Sequence, residues 1–420
     1  MPTEKREHFR YKTNLFSLVR RFALTFIAWN AIINLNYGVS AEGEKKMENI
    51  IIPSSLQITM DDVGWFNGAD DRENGGSART AMSRRHCAED YLAINELGSR
   101  LNMRINCAFI LAEWDPDNRL KNIKWLSKYR DSWNNAAYLG KEEMAAVVDA
   151  INSSPYIDIA IHGLMHNYYK PGIPYCNSDY FYPIDGVMQM SPEGEVRARL
   201  DAFFDLLSHY KINKKVNSFI PPAFSYVWGD ISPILKDYGV RFISTLFESE
   251  KFRMPEGMTI PVSAAVEGSG IITVNRNNNF VPWYEISTNL DEAPVVSGIF
   301  GCHWPNILHE DKTRHSEVID SWVRYFERCA NTFGIILSRD IAFAAEQSLY
   351  YDYASVKCEQ GRTVIDISAV PKTESCLGRF YVSSRSEIKR ASGCEITEYE
   401  RKDGFINYEV RPTENIIVLT

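Results

Sequence analysis

Three short stretches carry side chains that an ordinary protein core would not choose. Ile58-Thr59-Met60 is an apolar run that ends in Asp61-Asp62. Adjacent carboxylates repel, so holding both in one place is costly unless a cation or a proton relieves the pair. A turn or a helix N-cap would also use such residues. A second run, residues 157–161, ends in His162-Gly163-Leu164-Met165-His166. Two imidazoles four residues apart, one closing a strand and one in the turn after Gly163, can converge on a single ion. Neutral imidazole is a common ligand for zinc-like metals. A third run, Ile299-Phe300-Gly301-Cys302, ends in His303-Trp304. Each motif alone has a structural explanation; together, each closing a different strand, they point to catalysis.

Asp62, His162 and His166 make three ligands, which leaves a coordination position open for water. A metal there lowers the pKa of water and polarises a carbonyl oxygen. Asp61, beside a ligand but not needed as one, is then free to act as general base. His303, approaching from the opposite side of the mouth, can give a proton to a leaving amine. The chemistry is amide hydrolysis at one divalent metal, with zinc as first choice and Co2+, Ni2+ or Mn2+ as alternatives.

Such residues must be positioned by the elements around them. From residue 56 onward, short apolar runs at 56–60, 104–111, 157–161, 216–220, 240–246, 271–274 and 295–301 read as strands. Several are apolar at consecutive positions, as in strands covered on both faces of a parallel sheet. Helical spacing marks 88–100, 141–151, 196–210 and 315–332. This alternation predicts an α/β fold, either a (β/α) barrel or a doubly wound sheet, with functional residues where strands run into loops. After Tyr353 the helical period stops, and β-like runs follow at 363–367, 379–382, 406–410 and 416–419. Gly361, Gly378, Gly393 and Gly404 punctuate that region at turns. The chain is therefore expected to divide into a leader (1–41), a barrel (50–353) and a small all-β, sandwich-like domain (354–420).

Thr59-Met60-Asp61-Asp62, His162-Gly163-Leu164-Met165-His166 and the strand ending in His303 resemble the first, second and fifth motifs of the polysaccharide deacetylase family, the NodB-homology domain. The resemblance covers roughly residues 50–351, in the family's motif order. It implies a distorted (β/α) barrel of seven strands that removes acetyl groups from N-acetylated glycans, with O-acetyl groups as the alternative. It also implies Asp61 as base, Asp62, His162 and His166 as metal ligands, and His303 as acid. The family's third motif is Arg-x-Pro followed by an aromatic residue; its Arg braces the base and a backbone N–H helps bind the oxyanion. Here the stretch is Phe219-Ile220-Pro221-Pro222-Ala223-Phe224. Proline has no N–H, so Pro222 must take the motif proline's place, leaving Ala223 to supply the N–H. Ile220 then stands where the arginine belongs, and Arg276, from the next-but-one strand, could replace the brace. The fourth motif, an Asp with a Trp that tunes the catalytic His, has no clear counterpart.

Two other functions stay open: a non-catalytic carbohydrate-binding protein on the same scaffold, and a glycoside hydrolase. The latter needs two carboxylates about 5–9 Å apart, for which Asp61 with Asp158 or Glu285 could serve. The segment 167–190 places Tyr168, Tyr169, Tyr175, Tyr180, Phe181 and Tyr182 among Pro, Gly and Asn. It is either a lid that stacks sugar rings or a loop packed on the barrel. Tyr180 and Tyr182, with Trp65, Trp228 and Trp304 after strand ends, are the candidate substrate contacts. His86, His209, His309 and His315 read as surface or helix residues.

A net charge of −8 over 420 residues offers no basic stripe for phosphate backbones, so no nucleic-acid partner is expected. Lys5, Arg6, Arg10, Lys12, Arg20 and Arg21 precede an apolar run at 22–33, and Val39-Ser40-Ala41 offers a cleavage site. This reads as an export signal. A retained anchor is the alternative, but the run falls short of the ~20 residues a span needs. The expected protein is secreted, periplasmic or on the cell surface, acts on an acetylated glycan, and has no stable membrane insertion once the signal is removed. The eight cysteines show no CxxC pairing. One bridge is expected among Cys358, Cys376 and Cys394, whereas Cys107 and Cys302 sit in apolar runs as buried thiols.

Overall fold

The structure, a computed structural model, describes residues 49–66, 81–126, 132, 134, 140–173, 176–259, 261–278, 281–359 and 361–420. The expected export signal (1–41) and Tyr175 lie outside these residues. β1 (Ile50–Ile51) and β2 (Ser54–Val63) lead to α1 (Ala88–Leu101), β3 (Ile105–Phe109), α2 (Lys141–Ser153) and β4 (Ile157–Ile161). A hairpin of β5 (Phe181–Ile184) and β6 (Val187–Met190) precedes α3 (Glu193–His209), β7 (Val216–Phe219), β8 (Tyr226–Val227), α4 (Ser232–Asp237) and β9 (Phe242–Thr245). β10 (Phe252–Arg253), β11 (Ala264–Val266), β12 (Ile272–Asn275) and β13 (Gly298–His303) follow, then α5 (His315–Ala330), β14 (Ile335–Leu337) and α6 (Ile341–Tyr353). The remaining strands are β15 (Ser355–Glu359), β16 (Arg362–Asp366), β17 (Phe380–Ser384), β18 (Ala391–Ser392), β19 (Cys394–Lys402), β20 (Phe405–Pro412) and β21 (Ile416–Leu419).

One curled sheet runs β11-β12-β9-β7-β4-β3-β2-β13, with β14 also paired to β2. Only β11 is antiparallel to its neighbour. A parallel bridge from Asn278 to Phe300 brings the chain beyond β12 back to β13. The protein is thus a mixed α/β fold with a half-barrel parallel sheet. Each of the seven apolar runs read from the sequence overlaps a parallel strand of this sheet. Their continuous apolar character follows from cover on both faces: β3 is buried at all five positions.

Helix α6 has no such signature. Ile341, Phe343, Ala344, Ala345, Leu349 and Tyr350 are buried, as are Glu346, Gln347 and Ser348. A helix enclosed on all sides shows no apolar stripe, so periodicity passes over it. Asp340 caps its start, accepting from the Phe343 N–H at 2.8 Å. Gln347 ties the helix to its surroundings, donating to the carbonyls of Pro53 (2.8 Å) and Tyr381 (3.1 Å) and accepting from the Tyr381 N–H (2.8 Å).

The C-terminal strands form two four-stranded sheets, β1-β17-β20-β19 and β15-β16-β21-β18. Ile365, Phe380, Val382, Val410, Ile417 and Leu419 share one apolar cluster with Ala345 and Leu349 of α6 and with Phe242, Ile272, Val274 and Ile299 of the parallel sheet. All eight cysteines are free thiols. The bridge expected near the C-terminus is therefore absent: Cys358 lies on β15 and Cys394 on β19, in different sheets. Cys107 and Cys302 are buried thiols, as read. Among the described residues no helix is long and apolar enough to cross a membrane.

Phe380 stacks on Tyr350 of α6 at 4.3 Å between ring centroids. Phe380→Ala should cost about 3–5 kcal/mol through the cavity it leaves. Because this core is continuous with the parallel sheet, denaturant melts should keep one transition; two separated transitions would show that the C-terminal sheets unfold independently.

Candidate metal centre

Neighbouring side chains on a regular strand point to opposite faces, so Asp61 and Asp62 need a local irregularity to meet at one place. It is present. Met60 pairs with Cys107 but Val63 with Phe109, so β2 carries one residue more than β3 at this point. Asp62 adopts φ 63° and Gly64 φ 110°. This bulge re-aims the strand end. A Cβ on Gly64 would lie 2.5 Å from the Ile110 carbonyl oxygen, so the turn demands glycine.

β4 delivers the histidines. The His162 N–H closes the strand onto the Phe109 carbonyl (3.1 Å). Its Nδ1 lies 2.6 Å from the Ile220 carbonyl oxygen, which can only accept, so Nδ1 carries the proton and Nε2 is left as a lone-pair donor. That Nε2 is 3.6 Å from Asp62 Oδ1. Two ligands on one tetrahedral ion, each at ~2.0–2.1 Å, stand ~3.4 Å apart. The His166 ring lies 4.9 Å from that of His162, tilted by 69°. One donor atom from each of Asp62, His162 and His166 lies within 4.8 Å of the others, and all three residues are buried. The donor set suits a divalent transition metal: two imidazoles and one carboxylate, all buried. The turn between the histidines is held by Asp179, which accepts from the N–H groups of Leu164 (3.0 Å), Met165 (3.3 Å) and His166 (2.9 Å).

Asp61 has its own cation. Arg276 Nη1 donates to Asp61 Oδ2 at 2.8 Å, and the arginine is fully buried. This guanidinium comes from the end of β12. Burial alone would raise the Asp61 pKa; the Arg276 charge, with His162 and His303 nearby, outweighs burial and holds the carboxyl below its ordinary value. Among the described residues Asp61 Oδ1 has no hydrogen-bond partner. On the neighbouring strand His303 is the register partner of Asp61. Its Nδ1 is 3.3 Å from the Val281 carbonyl oxygen. Burial pushes its pKa below the usual imidazole value, against the pull of Asp62 and Asp61.

Ala223 lies in a tight turn, with Ala223 and Phe224 both left-handed (φ 50° and 57°). The turn follows the Ile220 carbonyl that orients His162, and the Phe224 ring sits 5.5 Å from the Arg276 guanidinium. Asp62, His166 (φ 59°), Ala223 and Phe224 are all non-glycine residues in left-handed backbone. Each such residue costs ~1–3 kcal/mol, and strain of this kind gathers at functional sites.

The aromatic residues expected at the mouth are placed differently. Trp65, Tyr180, Tyr182, Trp228 and Trp304 are all buried. Trp304 stacks on His86 (4.0 Å), Tyr182 on Tyr168 (4.8 Å), Tyr180 meets Phe219 edge-on, and Trp228 packs on Phe247 and Phe252. Packing accounts for these rings. His86 and His315, read as surface or helix residues, are buried on Asp90, each at 2.9 Å. Of the carboxylates considered as glycosidase partners of Asp61, Asp158 is engaged by Arg104 (3.2 Å) and Glu285 is exposed in the loop after β12. That loop carries an aromatic pair missed in the sequence, half-buried Trp283 and Tyr284, the latter 63% exposed. The pair follows Val281, which holds His303. Asp179 was missed too, because a single Asp in a polar loop carries no spacing signal.

A depressed carboxylate pKa contributes stability that is present above its unfolded value, near ~4, and fades as pH falls through the folded value. Arg276→Met should therefore destabilise the chain by about 3–5 kcal/mol at neutral pH, because it leaves a buried charge uncompensated. The loss should shrink toward about pH 4, because without Arg276 burial raises the carboxyl and Asp61 of the variant takes up a proton. Denaturant melts of both chains at the two pH values check this, and an equal loss at both would mean that Arg276 acts through packing.

No protein-family model matches the chain, and no curated protein matches it. The solved structures to which it is similar include a protein from Mycobacterium smegmatis assigned as a polysaccharide deacetylase (TM-score 0.35, 11% identity, 68% of this chain and 87% of that one). They also include a GH57-type branching enzyme from Pyrococcus horikoshii (TM-score 0.31, 11% identity, 54% of this chain and 46% of that one). A third is the 4-α-glucanotransferase from Thermococcus litoralis (TM-score 0.31, 11% identity, 67% of this chain and 37% of that one). The chain thus spans less than half the length of the last two.

Proposed function

We propose that this chain is a metal-dependent hydrolase that removes acetyl groups from a polysaccharide or oligosaccharide, N-acetyl first and O-acetyl as the alternative. One observation carries the reading: a buried Asp-His-His ligand set lies beside an arginine-braced Asp61 whose register partner is His303. When bound there, a divalent metal would supply Lewis acidity toward a carbonyl oxygen and toward water, with zinc first among the candidates.

The chain's own residues do the rest. Asp61 keeps Oδ2 on Arg276 and accepts the proton of the attacking water at Oδ1. His303, with Nδ1 on the Val281 carbonyl, has Nε2 as the atom that protonates the leaving nitrogen as its bond to the acetyl carbon breaks. The Ala223 N–H, in a turn tied to the site through Ile220 and Phe224, is assigned to the oxyanion. The Trp283–Tyr284 pair, just after Val281 in the chain, offers an amphipathic aromatic face of the kind a sugar ring can lie against. The basic and apolar composition of residues 1–41 supports a substrate outside the cytoplasm.

The test pairs metal analysis of the full chain with acetate release from a panel of N- and O-acetylated glycans. Asp61→Asn should keep the metal and lose about 10²–10⁴-fold in turnover, whereas His162→Ala should lose both. A metal-loaded chain that releases no acetate from any glycan would replace this reading with a binding role.

Turnover needs Asp61 ionised and His303 protonated. Asp61 titrates below its usual range, and His303 below the usual ~6.5. The pH profile should therefore be a bell whose alkaline limb falls below about pH 6.5. Activity still rising above that point would exclude His303 as the acid.

A further inference from the structure

The loop that carries both proposed metal-ligand imidazoles is built around the carboxylate of Asp179. Asp179 is fully buried and comes from a different segment, just before β5. Its Oδ2 accepts from the N–H groups of Leu164 and His166, and its Oδ1 from that of Met165. Three successive amides pointing at one anion form a nest, a concavity that fixes the torsions of every residue in it. Gly163 completes the fit: at φ 109°, a Cβ there would lie 1.9 Å from Asp179 Oδ2, so the carboxylate rests directly on the backbone between the two histidines. His166 itself is left-handed (φ 59°), a conformation the loop must be held in. Three amide hydrogen bonds to one buried carboxyl group suit that task.

We propose that Asp179 is a positioning residue for the candidate metal centre: by gripping the amides of 164–166 it aims His166 at the point that His162 and Asp62 already face. The inference rests on the metal-site reading but not on the reaction catalysed there. Glu346 provides an internal control. It is buried on α6 and grips three successive amides in the same way, those of Leu377, Gly378 and Arg379, among the C-terminal strands. Two identical devices therefore sit in one chain, one on the ligand loop and one on C-terminal structure.

The probe is Co2+, titrated into the full-length metal-depleted chain and followed by its visible absorption, with chelator melts to report folding. Asp179→Asn should weaken Co2+ binding about 10–100-fold, the usual effect of removing a group that orients a ligand. Glu346→Gln should lower the melting temperature and leave Co2+ affinity at the parent value. A folded Asp179→Asn chain that binds Co2+ as tightly as the parent overturns the proposal, as does an equal loss of affinity in Glu346→Gln. Should Asp179→Asn fail to fold, hydrogen exchange on the parent decides. The amides of Leu164, Met165 and His166 should stay protected in the metal-depleted chain, and exchange as fast as an open loop until Co2+ is added overturns the proposal. A parent chain that binds no Co2+ refutes the metal reading itself, and the exchange result then still reports on Asp179.

Discussion

Two carboxylates adjacent in sequence cannot both be buried and ionised unless each is answered separately. That constraint organises the mouth of this fold. Asp61 is answered by Arg276, a full cation that is itself buried and would be as costly without Asp61 as Asp61 without it. Asp62 faces the two imidazoles instead, a donor set that a dication would complete. The bulge in β2 separates the two answers. Without the extra residue, alternation would send one carboxylate into the apolar layer occupied by Met60 and Val63.

The strain around the site follows from the same demand. Asp62, His166, Ala223 and Phe224 adopt left-handed backbone with side chains that oppose it; Asp62 sits in the β2 bulge and the other three in turns held by specific contacts. The His162–His166 turn hangs on Asp179; the Ala223 turn hangs on a carbonyl to His162 and a ring against Arg276. Ordinary turns would place glycine or asparagine at such positions. Retaining Asp, His, Ala and Phe there means that surrounding bonds, not local preference, set the loop geometry.

Much of this was legible in the sequence. Apolar runs located the parallel strands because burial on both faces leaves no polar alternation, and residues at strand ends identified the candidate ligands. Other features leave no such trace. A bulge changes register without changing composition, so the sequence shows Asp61-Asp62 but not how they meet. Helix α6 is enclosed all round and has no apolar stripe to detect. Asp179 is read only through three amides of another segment. The aromatic residues misled for a physical reason: large rings after strand ends fit a groove wall and a packed core equally well, and Trp304 on His86 is core. Tyr284, in contrast, is exposed but lies in a loop with no strand end to flag it.

Position 220 shows why the cation beside Asp61 comes from elsewhere. Ile220 sits in a small apolar cluster with Ala108 and Ala160, while its carbonyl orients His162. An arginine side chain there would have to displace that cluster. The cation arrives instead from the end of β12, where the Asn278–Phe300 bridge brings the chain alongside β13 and therefore close to His303. Its charge thus reaches two groups at once: it holds Asp61 ionised and adds to the burial that depresses His303. A cation entering from β7 would approach from the His162 side of Asp61 instead. With Arg276 on the β13 side, one buried guanidinium pairs with Asp61 and also lies close enough to His303 to add to the burial that lowers its pKa.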